Sequence, residues 1–187
     1  MVKIIRLGAC CLLTHAMINL NFKKETQVFD WYAAYDFNEV NYVLNFIANE
    51  ESIPTGVSVE KVDDYSTTNF HLSQNIFSAH FGHYLQDEFS ALANKRGRRF
   101  YEHVKNNNEI LFIRHDRENK ITYNQIVDFC NIIKKINSEA SFKILLLSDN
   151  EIIHENVVLR KYIYDHDEIY DEYIKECYPD VDKSSFT

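Results

Sequence analysis

The chain has 187 residues, 45% of them hydrophobic, with 13 Phe and 12 Tyr, which suffices for one substantial core. Its 28 acidic and 20 basic residues leave a net charge of −8, which argues against a dedicated nucleic-acid or anionic-membrane surface. No run approaches the roughly 18 apolar residues that a membrane-spanning helix needs.

Val2–Leu7 reads as a short buried strand whose apolar run from Ile4 has one basic interruption, Arg6. Gly8, one of only four glycines, allows a sharp turn into a helix over Cys11–Leu20, whose apolar stripe is Leu12, Leu13, Ala16, Met17 and Leu20. Two readings of the cysteine pair stand side by side. A thiol at a helix N-terminus is activated by the unpaired N–H groups there. A free cysteine is equally at home in a core. Leu7-Gly8-Ala9-Cys10 resembles a lipoprotein cleavage box, but the apolar region of about 7–15 residues that a leader requires does not precede it. The expectation is therefore a cytoplasmic protein. The four cysteines contain no CxxC pair, so neither a zinc site nor a disulfide framework is expected.

Residues 21–35 are irregular and aromatic, and Asp30 lies between Phe29 and the single tryptophan, Trp31. Asp36 and Glu39 form a capping box ahead of a helix with Phe37, Val40, Val43, Leu44 and Ile47 on its buried face. Residues 51–83 read as an irregular insertion, a loop with at most one edge strand. It ends in a mixture of His71, His80 and His83 with phenylalanines. Spacing alone would put His80 and His83 on one helical face, but no third ligand accompanies them, so no metal is assigned. A hydrogen-bonded structural histidine and a general base are the two readings for this group.

Tyr84–Asn106 has helical character broken at Gly97, within the basic cluster Lys95-Arg96-Gly97-Arg98-Arg99. That cluster is either a solvated face or a site for phosphate, sulfate or carboxylate. A strand, Glu109–Arg114, then runs into His115-Asp116. Thr122 and Gln125 cap a helix carrying Cys130 on its apolar stripe. Strands at Phe142–Leu147 and Val157–Tyr164 follow, the second ending in Asp165-His166-Asp167. A short helix, Glu168–Cys177, and an acidic tail from about residue 178 complete the chain.

Alternating strands and helices with nearly continuous apolar strands predict one α/β domain over residues 1–187. Its core would be a mostly parallel sheet of about four to five strands flanked by helices. Ligands bind such sheets beyond the carboxyl ends of the strands. There the sequence places Cys10 and Cys11, His115 and Asp116, Asp149, and Asp165-His166.

Five short motifs carry a resemblance: Leu7-Gly8-Ala9-Cys10-Cys11, Phe29-Asp30-Trp31, His80-Phe81, Arg96-x-x-Arg99-Phe100 and Leu111-Phe112-Ile113-Arg114. In that order the chain resembles an uncharacterised bacterial and viral family described as papain-like cysteine peptidases. The resemblance spans roughly residues 4–150, with Val28 where the family commonly has proline. It implies a cysteine–histidine–aspartate or –asparagine arrangement, and its name an α+β papain-like fold as the alternative architecture. The family's cysteine falls on Cys11 and its histidine on His80. The expected catalytic set is Cys11, His80 and Asp30. Arg99, Arg114, His83, His115 and Trp31 are the substrate-binding candidates, and no cofactor is expected. The expected reaction is thiolate-dependent hydrolysis of a peptide or ester. The alternatives are acyl transfer to a sugar in polysaccharide biosynthesis and a non-catalytic anion-binding module. The partner in each case is a small molecule, peptide or glycan, and no oligomeric state is assigned.

Overall fold

The structure is a computed structural model that describes residues 2–8, 11–21, 25–62, 65–78, 81, 84–116, 118, 120–161 and 168–179. The elements in order are β1 (Lys3–Arg6), α1 (Cys11–Asn19), β2 (Ala33–Ala34), α2 (Phe37–Ala48), β3 (Gly56–Val62), β4 (Tyr65–Ser73) and β5 (Ile76–Ser78). They continue with α3 (Gln86–Asn106), β6 (Glu109–His115), α4 (Tyr123–Ile136), β7 (Ser141–Leu147), β8 (Val157–Arg160) and α5 (Glu168–Cys177).

Strands β1, β6, β7 and β8 form a parallel four-stranded sheet in that order. Side chains alternate between its faces, and both faces are covered, which is why the strands read as unbroken apolar runs. Ile4, Leu111, Ile113, Leu145 and Leu147 pack against Leu13, Ala16 and Met17 of α1 and Tyr170 and Ile174 of α5. Ile5, Leu7, Ile110, Phe112, Phe142, Ile144 and Leu146 belong to the larger cluster on the opposite face. That cluster also takes in Val40, Val43 and Leu44 of α2, Phe89, Phe100 and Val104 of α3, and Ile126, Phe129 and Ile133 of α4. Phe112 sits at its centre, edge-on to Phe129 at 4.9 Å and Phe142 at 5.8 Å. The expected α/β architecture with a four-stranded parallel sheet is thus present.

The stretch read as an irregular insertion is a second sheet. β2, β5, β4 and β3 pair antiparallel in that order, and Phe70, Leu72 and Ile76 join the large cluster. β3, at the sheet edge with Val57, Ser58 and Val59 exposed, answers to the one edge strand expected in this stretch, whereas β4 and β5 fall in what read as irregular chain. Nor does Gly97 break a helix. α3 runs unbroken through it, and a Cβ there would come within 2.8 Å of Ile53 Cδ1 and 3.3 Å of Ile47 Cγ1. The glycine lets α3 lie close against α2 and the segment after it.

Thr122 and Gln125 form the expected capping box of α4. Asp36 caps α2 by accepting from Asn38 N at 2.8 Å, while the Glu39 carboxylate accepts from Asn75 Nδ2 at 3.2 Å. The fourth parallel strand ends at Arg160. The anticipated Asp165-His166-Asp167 and most of the acidic tail fall outside the described residues. Among the described residues no helix is long and apolar enough to cross a membrane.

Candidate functional site

The first strand ends where four of the sequence motifs meet. Leu7 N donates to Ile113 O at 2.9 Å, extending the β1–β6 pairing one residue past β1. Gly8 then adopts φ +76, in the left-handed region that favours glycine. A Cβ on it would meet both Ala34 Cβ and Phe29 Cβ at 3.2 Å, so the exit from β1 is pressed against the Phe29-Asp30-Trp31 segment. Cys11 is the first residue of α1, whose first turn has no acidic residue. Cys10, and the position of the Cys11 side chain, lie outside what is described.

Asp30 is buried at 1% exposure, and its carboxylate ties three segments together. Arg6 donates to it as a fork, Nε to Oδ1 and Nη2 to Oδ2, both at 2.8 Å. Thr14 Oγ1, one helical turn beyond Cys11, donates to Oδ1 at 3.1 Å, and Gln27 N donates to Oδ2 at 2.8 Å. A lone arginine in a buried strand demands such a partner, since an uncompensated charge is costly there. Gln27 closes the outer edge of β1 like a surrogate strand: its Oε1 accepts from Arg6 N at 2.7 Å and its Nε2 donates to Ile4 O at 2.9 Å. The expectation for Asp30 was to orient an imidazole. What the structure shows for it is this anchoring role.

Trp31 follows with φ +73, a left-handed conformation for a bulky residue, and its ring meets His15 edge-on at 5.1 Å. His15 was missed in the sequence. The signal for it was spacing alone, because positions 11 and 15 are one turn apart on α1. His80 and His83 lie outside the described residues. Phe81, between them in the chain, is buried against Tyr32 at 5.3 Å and Phe89 at 5.6 Å. That contact docks the second sheet's exit onto the aromatic segment after Asp30.

The basic face of α3 grips the start of the same segment. Arg99 Nη1 donates to Thr26 O at 2.9 Å, and its Nε lies 3.4 Å from Glu25 Oε2. Lys3 reaches the other Glu25 oxygen at 3.1 Å, and His103 Nε2 is hydrogen-bonded to that oxygen too. Arg99, expected as a substrate ligand, therefore serves the fold here. Burial pushes the Glu25 carboxyl up, but Lys3 and His103 more than reverse this and hold it below its ordinary value. Burial holds His103 below its ordinary value as well, with Lys3 and Arg99 adding to it and Glu25 opposing. Both groups therefore bind protons more readily in the unfolded chain, from about pH 6.5 for a histidine and about 4.3 for a glutamate. The stability they contribute is present above those values and is lost as pH falls. Urea unfolding between pH 7.5 and 4 should show falling stability in the wild type and a shallower fall in His103→Gln, which removes the histidine's step and one cause of the lowered Glu25. Equal slopes would sink this assignment.

Arg114 was expected to bind an anion. Its guanidinium is instead fully enclosed at 0% exposure. It donates from Nη1 to Leu7 O at 2.8 Å and from Nη2 to Tyr35 O at 2.9 Å, with Cζ 5.4 Å from the Phe37 ring centroid. A donor held by backbone carbonyls below the surface is a structural tie. His115 is buried at the end of β6, on the sheet face that α1 covers. Asp116 beside it accepts from Lys120 N, Ile121 N and Ser148 Oγ at 3.0, 3.0 and 3.1 Å, which fastens the rim of the sheet. Among the described residues no group of three His, Cys, Asp or Glu is placed to hold a metal ion. Searches against protein-family models, curated proteins and solved structures return no match for the chain.

Proposed function

We propose that the chain is a cysteine-dependent acyl-transfer enzyme, a peptidase or related hydrolase, with Cys11 as the nucleophile. The observation that carries this reading is the position of Cys11. It opens α1 directly beyond the carboxyl end of β1, the edge of a parallel sheet where ligands bind. The N–H groups of that first turn favour a thiolate and supply donors for an oxyanion. The Arg6–Asp30–Thr14 network supports the reading by fixing the start of α1 against β1.

In this mechanism the Cys11 thiolate attacks a carbonyl carbon, forming an S–C bond and an oxyanion. Collapse breaks the C–N or C–O bond, and an imidazole returns the proton to the leaving group. Water then cleaves the thioester and restores the thiol. The resemblance gives that imidazole to His80. His15, one turn along α1 from Cys11 and against Trp31, is a second candidate for that imidazole.

Thiol labelling tests the assignment with internal controls. Burial pushes Cys130 and Cys177 up to about 11, so both should stay inert near neutral pH. Iodoacetamide at pH 7 is expected to modify Cys11 in the folded protein well before either. Cys11→Ser should abolish hydrolysis of p-nitrophenyl acetate, a loss on the order of 10³-fold or more. A Cys11 that reacts only after unfolding would overturn the reading.

A further inference from the structure

We infer that Arg96 is the receptor for a carboxylate group on the substrate. Arg96 sits on α3 one turn before Arg99, its guanidinium 5.2 Å from the Phe81 ring centroid. Its Nη1 is buried and has no hydrogen-bond partner among the described residues. Arg6 has Asp30 and Arg99 has Glu25, but Asp30 reaches Arg96 only through space. Among the described residues around 25–30, four fixed cations, Lys3, Arg6, Arg96 and Arg99, face two carboxylates, Glu25 and Asp30. This local excess of positive charge stands in a chain of net charge −8. A buried guanidinium donor left unpaired is costly, and a ligand oxyanion removes the cost. Burial also pulls the Arg96 pKa below its ordinary value, with Tyr32 and Asp30 opposing, as expected of a cation awaiting its counter-charge.

The receptor lies beside the proposed nucleophile's helix. Asp30, within the field of Arg96, accepts from Thr14 on α1, three residues after Cys11. A carboxylate on Arg96 would have Phe81 beside it and the acyl group directed toward α1. Only that last step rests on the Cys11 reading, since the carboxylate site stands on Arg96 alone. A peptide C-terminus and a sugar acid share this chemistry.

Two alkylating agents of similar size read the site. Iodoacetate carries a carboxylate and iodoacetamide does not. The ratio of their rates at Cys11, measured by peptide mapping, should fall about tenfold in Arg96→Gln, as expected for a charge-assisted hydrogen bond. Arg98→Gln removes the same charge from an exposed position two residues away and should leave the ratio unchanged. An unchanged ratio in Arg96→Gln, or an equal fall in both variants, overturns the proposal. A second measurement is independent of Cys11. Sodium acetate should raise the thermal midpoint of the wild type above that in sodium chloride of equal ionic strength, and should not do so in Arg96→Gln. Without ligand, Arg96→Gln should be at least as stable as the wild type. A variant that unfolds marks Arg96 as structural and overturns the proposal. If Cys11 proves unreactive while acetate still stabilises through Arg96, the acyl-transfer reading falls and the carboxylate site stands. N-acetylalanylalanine and glucuronate, used in place of acetate, distinguish the peptide from the sugar acid by the larger shift.

Discussion

Replacing Asp30 with asparagine is expected to lower the unfolding free energy by about 3–5 kcal/mol, the usual cost of removing one partner from a buried ion pair. Arg6 is 2% exposed and Asp30 1%, so solvent cannot take over the orphaned charge. Asparagine keeps the shape but offers one acceptor oxygen where Asp30 uses both, against Arg6 Nε, Arg6 Nη2, Thr14 Oγ1 and Gln27 N. The guanidinium is then left charged and half-satisfied beside Arg96, which faces the same carboxylate. Removing both charges together, as Arg6→Met with Asp30→Leu, should cost less than Asp30→Asn alone, because neither member of the pair is left as an orphaned charge. Urea denaturation at pH 7 measures both. A loss below about 1 kcal/mol in Asp30→Asn would show that the pair is screened and would remove the basis of the argument. The same variant separates two roles for Asp30. Anchoring alone leaves the pH profile of Cys11 alkylation unchanged in shape, whereas an orienting role toward an imidazole shifts it.

The parallel sheet was legible because its strands are covered on both faces. Ile110 to Ile113 and Ile144 to Leu147 are apolar on both sides of the pleat, and that pattern survives without knowledge of tertiary contacts. The α4 box was legible because Thr122 and Gln125 act on backbone groups three residues away. The second sheet was not, because its stability comes from a few inward residues such as Phe70 and Leu72. Its edge strand β3 turns Val57 and Val59 to solvent, so only its β-branched residues marked it. Gly97 misled for a related reason. Helix propensity counts it as a break, while the approach of Ile53 makes it a requirement of packing.

At the candidate site several residues singled out in the sequence are found in structural contacts. Gly8, Asp30, Trp31, Arg99 and Arg114 do converge on the end of β1 and the segment after residue 25. Arginine as a residue type says only that a cation is present. Whether its donors face a ligand or main-chain carbonyls depends on depth, which no local pattern records. Arg6 was the missed clue: a cation inside an apolar strand requires a buried carboxylate, and Asp30 among aromatics was the carboxylate available.

Arg114 gives the second large effect. Arg114→Met should fill the space yet leave the Leu7 and Tyr35 carbonyls without the donors they now have at 2.8 and 2.9 Å. Each buried acceptor deprived of its partner costs about 1–3 kcal/mol, and relief of the buried charge offsets part of this, so a net loss of about 2–4 kcal/mol is expected. Arg114→Lys should not rescue it. A single ammonium lacks the planar fork that spans two carbonyls, one after β1 and one just before the Asp36 cap of α2. Amide exchange localises the damage. The Leu7 amide, bonded to Ile113 O, and the Asn38 amide, bonded to Asp36, should exchange faster than the core amides of β7. If Arg114→Lys kept wild-type stability and exchange, the fork geometry would be irrelevant and Arg114 would again be open to a role in binding. If it behaves as Arg114→Met does, Arg114 is the tie that sets how Gly8 and Cys11 leave the sheet.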